Sequence, residues 1–558
     1  MDKSLLIHAA NTPSTVQELF LNENIINFNY SNDKYSTIDE YISNDIIKQL
    51  TEKDFDLIYI KDTLSSNYLE LYGLIVAYHI RLSAELKDKK YIPIVILSDI
   101  DGCALNKLEP MARILFTQNV FIIKNNKDAL TEFQDSKLGT SCFDEKKFLN
   151  LITIDAPENT SNHDISNEWA IYRWADFLKI EDEDSNAIKD NKKKIASMLY
   201  FKYLLAKSPL LTSDESNENT IKCKNKGKVL LIDDESDKGW GDIFSKFFED
   251  TSIDFAIFND ENNEIERKSI DVVILDLRMK QEDHNQDRKI EDLTGVKFLQ
   301  KIKKVNPGIQ VIMFTATSKS TILEKLYEHG ILGYIKKEHP SDTNIITKEN
   351  FEKLAELVDK GLEKKYLKEI WSIQNEILNY NYNFKEKKEE INVEVKSIFE
   401  ILDSDMGNKF NYAMFAIFKC IEIVTSLYIE EKNRKAHWID GDEIENTGYY
   451  LKRKEYDTLN IEHINSENNI SNKGRGNISI ENKIRTIMHE KLDLTCDELH
   501  STIKCLVCIR NHTIHQDKQY GDYEFCNKIA KEEISKENIL TWLKMLKTIL
   551  GKINEKSK

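Results

Sequence analysis

The stretch Leu231-Ile232-Asp233-Asp234-Glu235 is the end of a short apolar run that stops on paired acids. It has no helical period, which is how a strand buried on both faces of a parallel sheet reads. Three further runs share the form: Val272–Leu275 ends on Asp276, Val311–Phe314 on Thr315, and Gly333–Lys336 on Lys337. Open α/β sheets build their sites at the carboxyl ends of their strands. The order therefore predicts three carboxylates, a hydroxyl and an ammonium gathered along one sheet edge. Oxygen ligands of this kind suit Mg²⁺, and the remaining groups suit a phosphoryl group.

This set resembles the receiver domain of two-component response regulators in order, residue type and spacing. The resemblance implies a flavodoxin-like fold with Asp276 as phospho-acceptor, and a Mg²⁺ ion held by Asp233, Asp234 and Asp276. It implies that Thr315 and Lys337 act as the switch pair that binds the phosphorylated form. A sensor histidine kinase or another phosphodonor is the implied partner. Between Asp276 and Thr294 the chain carries a long charged insertion, Lys280–Asp292. Its Asp283, His284 and Asp287 read either as a solvated loop or as metal ligands, and a loop beside the acceptor could gate access to it.

The first 150 residues repeat this plan with its chemistry removed. Leu5-Leu6-Ile7 is followed by His8-Ala9 in place of the acid pair, and Asp56–Lys61 aligns Lys61 with Asp276. Ser98 stands for Thr315 and Lys124 for Lys337. A degenerate receiver is implied, unable to take a phosphoryl group at position 61 and serving protein contact. Asp62, one residue on, should face the opposite side of the strand.

With 558 residues the chain has room for about three domains. The net charge of −17 gives no global basic footprint. Eight cysteines without paired spacing predict free thiols and a reducing compartment, with Cys505 and Cys508 as two thiols on one buried helix face. No apolar run approaches a membrane span, so a cytoplasmic protein without membrane contact is expected.

Residues 151–225 read as a helical connector. In it Trp169, Tyr172 and Phe177 form an aromatic stripe against one of the receivers, and 181–186 and 214–219 are solvated runs. The phospho-accepting receiver spans 226–345, and a linking helix spans 346–390, with 385–396 a hinge or an exposed helix. Residues 391–558 read as an independent all-α unit: a long apolar helix to Tyr428, a polar excursion near 432–482, and two closing helices.

In that unit the segment Arg510-Asn511-His512-Thr513-Ile514-His515 ends an amphipathic helix. It resembles the signature of HEPN domains, helical proteins that include metal-independent ribonucleases of toxin and phage-defence systems. The resemblance implies an endoribonuclease with Arg510, Asn511 and His515 at its site, RNA as substrate, and a homodimer that brings two motifs together. Such a step needs no cofactor. A histidine can move the proton of the 2′-hydroxyl, and an arginine fork can hold the anionic phosphorane. Against this, Arg510 could simply cap a helix C-terminus and His515 be ordinary surface. Glu422 matches an acidic position of many HEPN domains, or is one member of a polar stripe with Lys419, Ser426 and Glu430. Residues 391–558 carry only about two of the net negative charges, so RNA contact would need a local rim, with Lys452, Arg453, Lys454, Lys473, Arg475, Lys483 and Arg485 as candidates.

The reading is a fold of α/β plus all-α type: two flavodoxin-like receivers, then a helical HEPN unit. Its function would be a response regulator in which Asp276 controls an endoribonuclease, in stress or phage defence. The alternative is a non-catalytic adaptor whose HEPN unit binds RNA or a partner protein.

Overall fold

The structure is a computed structural model that describes residues 3–135, 142–157, 161–207, 221–258, 270–284, 288–317, 319–340, 346–382, 384–432, 435–439, 448–453, 459–464, 479–514 and 533–557. The first sheet contains β1 (Ser4–His8), β2 (Ile25–Asn27), β3 (Leu57–Lys61), β4 (Ile94–Leu97) and β5 (Val120–Ile123), in the order β2-β1-β3-β4-β5. Every pairing is parallel, and Ile7, Ile60, Ile96 and Ile122 stand in register across it. The helix α1 (Tyr72–Leu82) covers one face and is apolar nearly all round. That composition is what a helix enclosed by other elements needs.

The connector follows as α2 (Asn162–Phe177), α3 (Asn186–Ser197) and α4 (Leu199–Lys207). It bridges two cores. Leu199 and Tyr203 of α4 join the first domain's core, whereas Ala170, Ile171 and Trp174 of α2 join that of the second. Trp169 stacks on Phe201 between them, with ring centroids 6.3 Å apart. The 181–186 run is solvent-facing as its charges suggest, save at one residue. Ser185 is buried, accepts from the Ile188 amide to cap α3, and donates to Asp242 at 2.5 Å. Residues 214–219 lie outside the described residues.

The second sheet repeats the strand order of the first: β6 (Gly227–Ile232), β7 (Ile253–Phe258), β8 (Val272–Asp276), β9 (Gln310–Thr315) and β10 (Gly333–Lys336), arranged β10-β9-β8-β6-β7. Its helices are α5 (Trp240–Phe248), α6 (Thr294–Val305), α7 (Ser320–Glu328) and α8 (Thr347–Glu363). Helix α8 buries Phe351, Leu354, Val358 and Leu362 against the receiver. After a turn at Lys364-Lys365 comes α9 (Tyr366–Leu378), whose Leu367, Ile370, Ile373 and Ile377 belong to the core of the next unit. The joint is fastened to the amino edge of the second sheet. Lys368 donates to Ile270 O and Asp271 Oδ1 at 2.7 and 2.6 Å, Lys365 to Lys226 O at 3.0 Å, and Asn306 Nδ2 to Lys368 O at 3.1 Å. A Cβ on Gly308 would meet the backbone of Lys368 at 2.5 Å, so the contact needs glycine.

The C-terminal region is largely helical: α10 (Lys385–Asp403), α11 (Lys409–Tyr428), α12 (Ile480–Glu490), α13 (Asp497–Ile514) and α14 (Lys536–Lys556). The first two form an antiparallel hairpin. Residues 385–396 are neither hinge nor exposed helix, because Ile391 and Val395 are fully buried in the helical core. Within the excursion at 432–482 two antiparallel hairpins appear, one starting at the end of the long helix: Ile429–Lys432 with Lys435–Trp438, and Gly448–Arg453 with Leu459–Ile464. Their alternation is broken by polar and Asn-rich residues, so no strand period was legible. Contrary to expectation, α11 is long and apolar enough to cross a membrane. Its Met414, Ile417, Ile421 and Val424 are instead packed inside the helical core.

Candidate functional site

Four of the five strands of the second sheet deliver a polar residue to the carboxyl edge as the sequence predicts. Asp233 follows β6, Asp276 ends β8, Thr315 ends β9 and Lys337 follows β10. All four are buried, between 1 and 2 % exposed. The Lys337 ammonium lies between two carboxylates, 3.0 Å from Asp233 Oδ2 and 3.2 Å from Asp276 Oδ1. It also lies 4.8 Å from the centre of the Phe314 ring, an added attraction for a buried cation. Burial works against charge on Lys337, but Asp233, Asp276 and Glu235 outweigh it and hold its proton more tightly than usual.

The other carboxylate oxygens are directed by backbone. Asp233 Oδ1 accepts from the Glu235 amide at 2.8 Å, and Asp276 Oδ2 from the Arg278 amide at 2.9 Å. Thr315 Oγ1 accepts from the Thr317 amide at 3.2 Å. Burial lifts the Asp276 carboxyl to about 6, with Lys337 opposing and Asp233 assisting. Asp234 sits at the exposed rim and is also lifted to about 6, by partial desolvation and by the charges of Asp233 and Glu235. Solvent screens that effect at so open a position, so the shift carries less weight there than at Asp276.

The donor set is all oxygen and crowded with negative charge, the chemistry a magnesium ion requires. No three His, Cys, Asp or Glu side chains among the described residues already form a metal cage. The residues fit the ion by chemistry, with Lys337 lying between Asp233 and Asp276.

Two features of this corner escaped the sequence. Asp283 of the insertion is neither a solvated residue nor a ligand. It is fully buried, pairs with Arg288 at 3.0 Å, and accepts from the Thr294 amide that opens α6. Arg278 Nη1 donates to Asp283 O at 2.7 Å, so the insertion is braced onto the loop that follows Asp276. Asp287 and the His284 side chain lie outside what the structure describes. The second feature is α2, which reaches the site from outside the receiver: His163 Nε2 is 3.4 Å from Glu235 Oε2, and Trp174 Nε1 donates to Glu338 Oε1 at 3.2 Å. The signal for this was Trp174 itself, one residue in a stripe where Trp169, Tyr172 and Phe177 attracted the reading.

The first domain places the counterparts at the same edge without the chemistry. Lys61 is buried, and its ammonium is 2.5 Å from Asp62 Oδ1 and 3.8 Å from Asp99 Oδ2. Asp62 therefore does not face away as expected. It lies past the end of β3, where the strand alternation no longer applies, and its buried carboxylate turns back onto Lys61. Ser98 Oγ accepts from the Ile100 amide at 3.0 Å, as Thr315 does from Thr317. Lys124 occupies the position of Lys337 but is exposed. Gly73 and Gly295 mark the same close approach of helix to strand end, since a Cβ would meet Lys61 O at 2.0 Å or Asp276 O at 2.3 Å.

In the helical region Arg510 and Asn511 lie in the last turns of α13, and His515 lies outside the described residues. The Arg510 guanidinium stacks 4.6 Å from the centre of Phe418 on α11, and its Nη1 donates to Asn511 Oδ1 at 3.0 Å. Its Nε is buried without a hydrogen-bond partner among the described residues. Glu422 is one turn beyond Phe418, with Lys419 at 3.4 Å. Of the expected basic rim, Arg485 is buried against Glu481, and Lys483 pairs with Glu431. The side chains of Lys452 and Arg453, and residues 454, 473 and 475, lie outside the description. Cys508 is disulfide-bonded, so it does not form a pair of thiols with Cys505.

Comparison with known families agrees with the two sheets. Residues 11–123 match the inactive receiver domain, and residues 229–348 match the response regulator receiver domain. The chain thus contains two receiver domains, the first inactive. No curated protein matches. Among solved structures, a CheY-like response regulator receiver domain protein from Methanospirillum hungatei JF-1 is 19% identical, with 25% of this chain and 98% of that one covered and a TM-score of 0.20. NtrX from Brucella abortus in complex with ADP is 17% identical, with 31% of this chain and 33% of that one covered and a TM-score of 0.21.

Proposed function

We propose that the chain is a two-component response regulator that takes a phosphoryl group on Asp276 from a histidine kinase or small phosphodonor. The observation that carries this is the Lys337 ammonium set between Asp233 and Asp276 beside the Thr315 hydroxyl. Asp276 attacks the donor phosphorus through a carboxylate oxygen while the donor's leaving group departs with the bonding pair. Lys337 neutralises the new charge, and Thr315 is placed to turn toward the phosphoryl oxygens. A magnesium ion held by Asp233, Asp234 and Asp276 would supply charge neutralisation at the transferring group. Asp276 must be ionised to attack, so its raised proton affinity predicts slower loading as pH falls through about 6.

For the output we propose a HEPN-type, metal-independent endoribonuclease with Arg510, Asn511 and His515 at its site, paired across a homodimer. What favours it over a non-catalytic adaptor is Arg510, a half-buried guanidinium stacked on Phe418 with no carboxylate partner among the described residues. A cation so placed suits an RNA phosphate. In the reaction the 2′-oxygen attacks phosphorus and loses its proton to a base, the bond to the 5′-oxygen breaks, and that oxygen gains a proton. His515 takes the proton-transfer role, Arg510 holds the phosphorane, and Asn511 orients Arg510. Glu422, one turn from Phe418, is positioned to tune that cation.

The test is RNA incubated with protein that has been loaded by a phosphodonor and then treated with EDTA. Cleavage should persist, yield 2′,3′-cyclic phosphate ends, and disappear in Arg510→Ala and His515→Ala. Products with 5′-phosphates, or cleavage lost to EDTA, would refute the nuclease assignment. Binding of RNA without cleavage would leave the adaptor.

A further inference from the structure

The receiver is bounded by its own strands and helices, yet its acid corner is closed by a helix that precedes it in the chain. Helix α2 makes polar contacts at three points along that corner. At its first turn His163 meets Glu235, directly after the acid pair. In the middle Asn167 Oδ1 accepts from Trp240 Nε1 at 2.6 Å, and the Lys337 ammonium lies 5.4 Å from the centre of the same indole. At its last turn Trp174 and Arg173 both engage Glu338, which directly follows Lys337, with Arg173 Nε 4.0 Å from Glu338 Oε2. The contacts are bought with real packing: Trp174 is fully buried, 4.5 Å from Phe351 and 5.4 Å from Trp240 by ring centroids.

We propose that α2 is a working part of the phosphorylation site, with His163 a positioning residue that acts through Glu235, and Trp174 and Arg173 holding Glu338 beside Lys337. The lifetime of the phosphoryl group on Asp276 is then set by a helix of the connector whose last helix, α4, joins the core of the inactive receiver. The proposal rests on Asp276 being the acceptor.

The physical reason is charge. A phosphoryl group adds between one and two negative charges to a corner that already holds Asp233, Asp234 and Glu235. Lys337 is buried and committed to two carboxylates. His163 engages Glu235 together with Lys238, whose ammonium is 2.7 Å from Glu235 Oε1, and this keeps the third acid turned toward cations and away from Asp276. Without His163, Glu235 loses one of these partners and the repulsion on the phosphoryl group grows.

The chain is loaded with acetyl phosphate and Mg²⁺, the donor is removed, and the decay of the added phosphoryl group is followed by intact mass. His163→Ala should shorten the half-life at least about threefold, a change of the size one displaced charge produces. His163→Gln retains a hydrogen-bond donor to Glu235 and should recover most of the wild-type half-life. Glu338→Gln breaks the pair with Arg173, leaves an acceptor for Trp174, and should also shorten it. Thermal unfolding of each variant accompanies the decay, since a merely structural role would lower the melting temperature and leave the half-life unchanged. A His163→Ala half-life equal to wild type overturns the proposal. Failure of the wild type to take any phosphoryl group instead overturns the reading of Asp276.

Discussion

At the scale of the residue, the polar corner of the second sheet is legible because its residues are written next to its strands. Asp233, Asp276, Thr315 and Lys337 each follow an apolar run, and parallel pairing then brings them together whatever the loops do. Asp283, His163 and Glu338 were not legible, since only tertiary packing places them. Single substitutions separate the two domains. Intact mass after phosphodonor treatment should show one added phosphoryl group and none in Asp276→Asn, because Lys61 fills the corresponding place in the first domain with an ammonium already paired to Asp62. Gly295→Ala should cost about 2 kcal/mol or more of stability, measured by denaturant unfolding, because the new methyl would stand 2.3 Å from Asp276 O and 2.7 Å from Leu277 O. The same clash would displace the acceptor carboxylate, so loading should slow as well.

At the scale of the element, four strands of each receiver sheet and the amphipathic last helix are legible, because burial on both faces and a one-sided stripe leave distinct patterns, whereas β2, β7 and the two late hairpins carry no such pattern. The charged start of α10 misled, since Lys and Glu on its outer side masked Ile391 and Val395 on its inner side. Helix α4 shows what else composition hides. Its Lys202 is buried against the first domain and donates to Ser43, Ser83 and His79 at 3.0, 2.7 and 3.3 Å, while His79 Nε2 meets Asp39 at 3.0 Å. Burial lowers the Lys202 ammonium to about 8 despite help from Glu85 and Asp39. A lysine lowered on folding binds fewer protons in the folded than in the unfolded state between pH 8 and its ordinary value, so stability should rise with pH across that window. Thermal unfolding of the wild type and of Lys202→Met from pH 7 to 10 checks this: the rise should be smaller in the variant. Trp174→Ala should cost about 3–5 kcal/mol, as loss of a fully buried indole does.

At the scale of the whole molecule, two receivers share a connector and one of them meets the helical C-terminal region through a joint fastened by Lys365, Lys368 and Asn306. If the nuclease site is composite, mixing Arg510→Ala chains with His515→Ala chains should restore RNA cleavage that neither has alone, and the loaded protein should sediment as a dimer. Cleavage by a strictly monomeric chain would contradict this. The acceptor lies at the carboxyl edge of the sheet, whereas α9 is fastened at the amino edge by Lys365 and Lys368. Helix α8 runs between those edges: Asn350 Nδ2 donates to Lys336 O near its start, and Leu362 lies against Gly227 near its end. Gly361 sets how closely it lies on the strands, since a Cβ there would be 2.8 Å from Val272. Helix α8 is a bar about 25 Å long whose fulcrum would be Gly361, beside the joint, so that a tilt at the far end would reach the joint as a small rotation. Raising the fulcrum by one methyl, as Gly361→Ala does, should leave loading of Asp276 intact while the output no longer follows it.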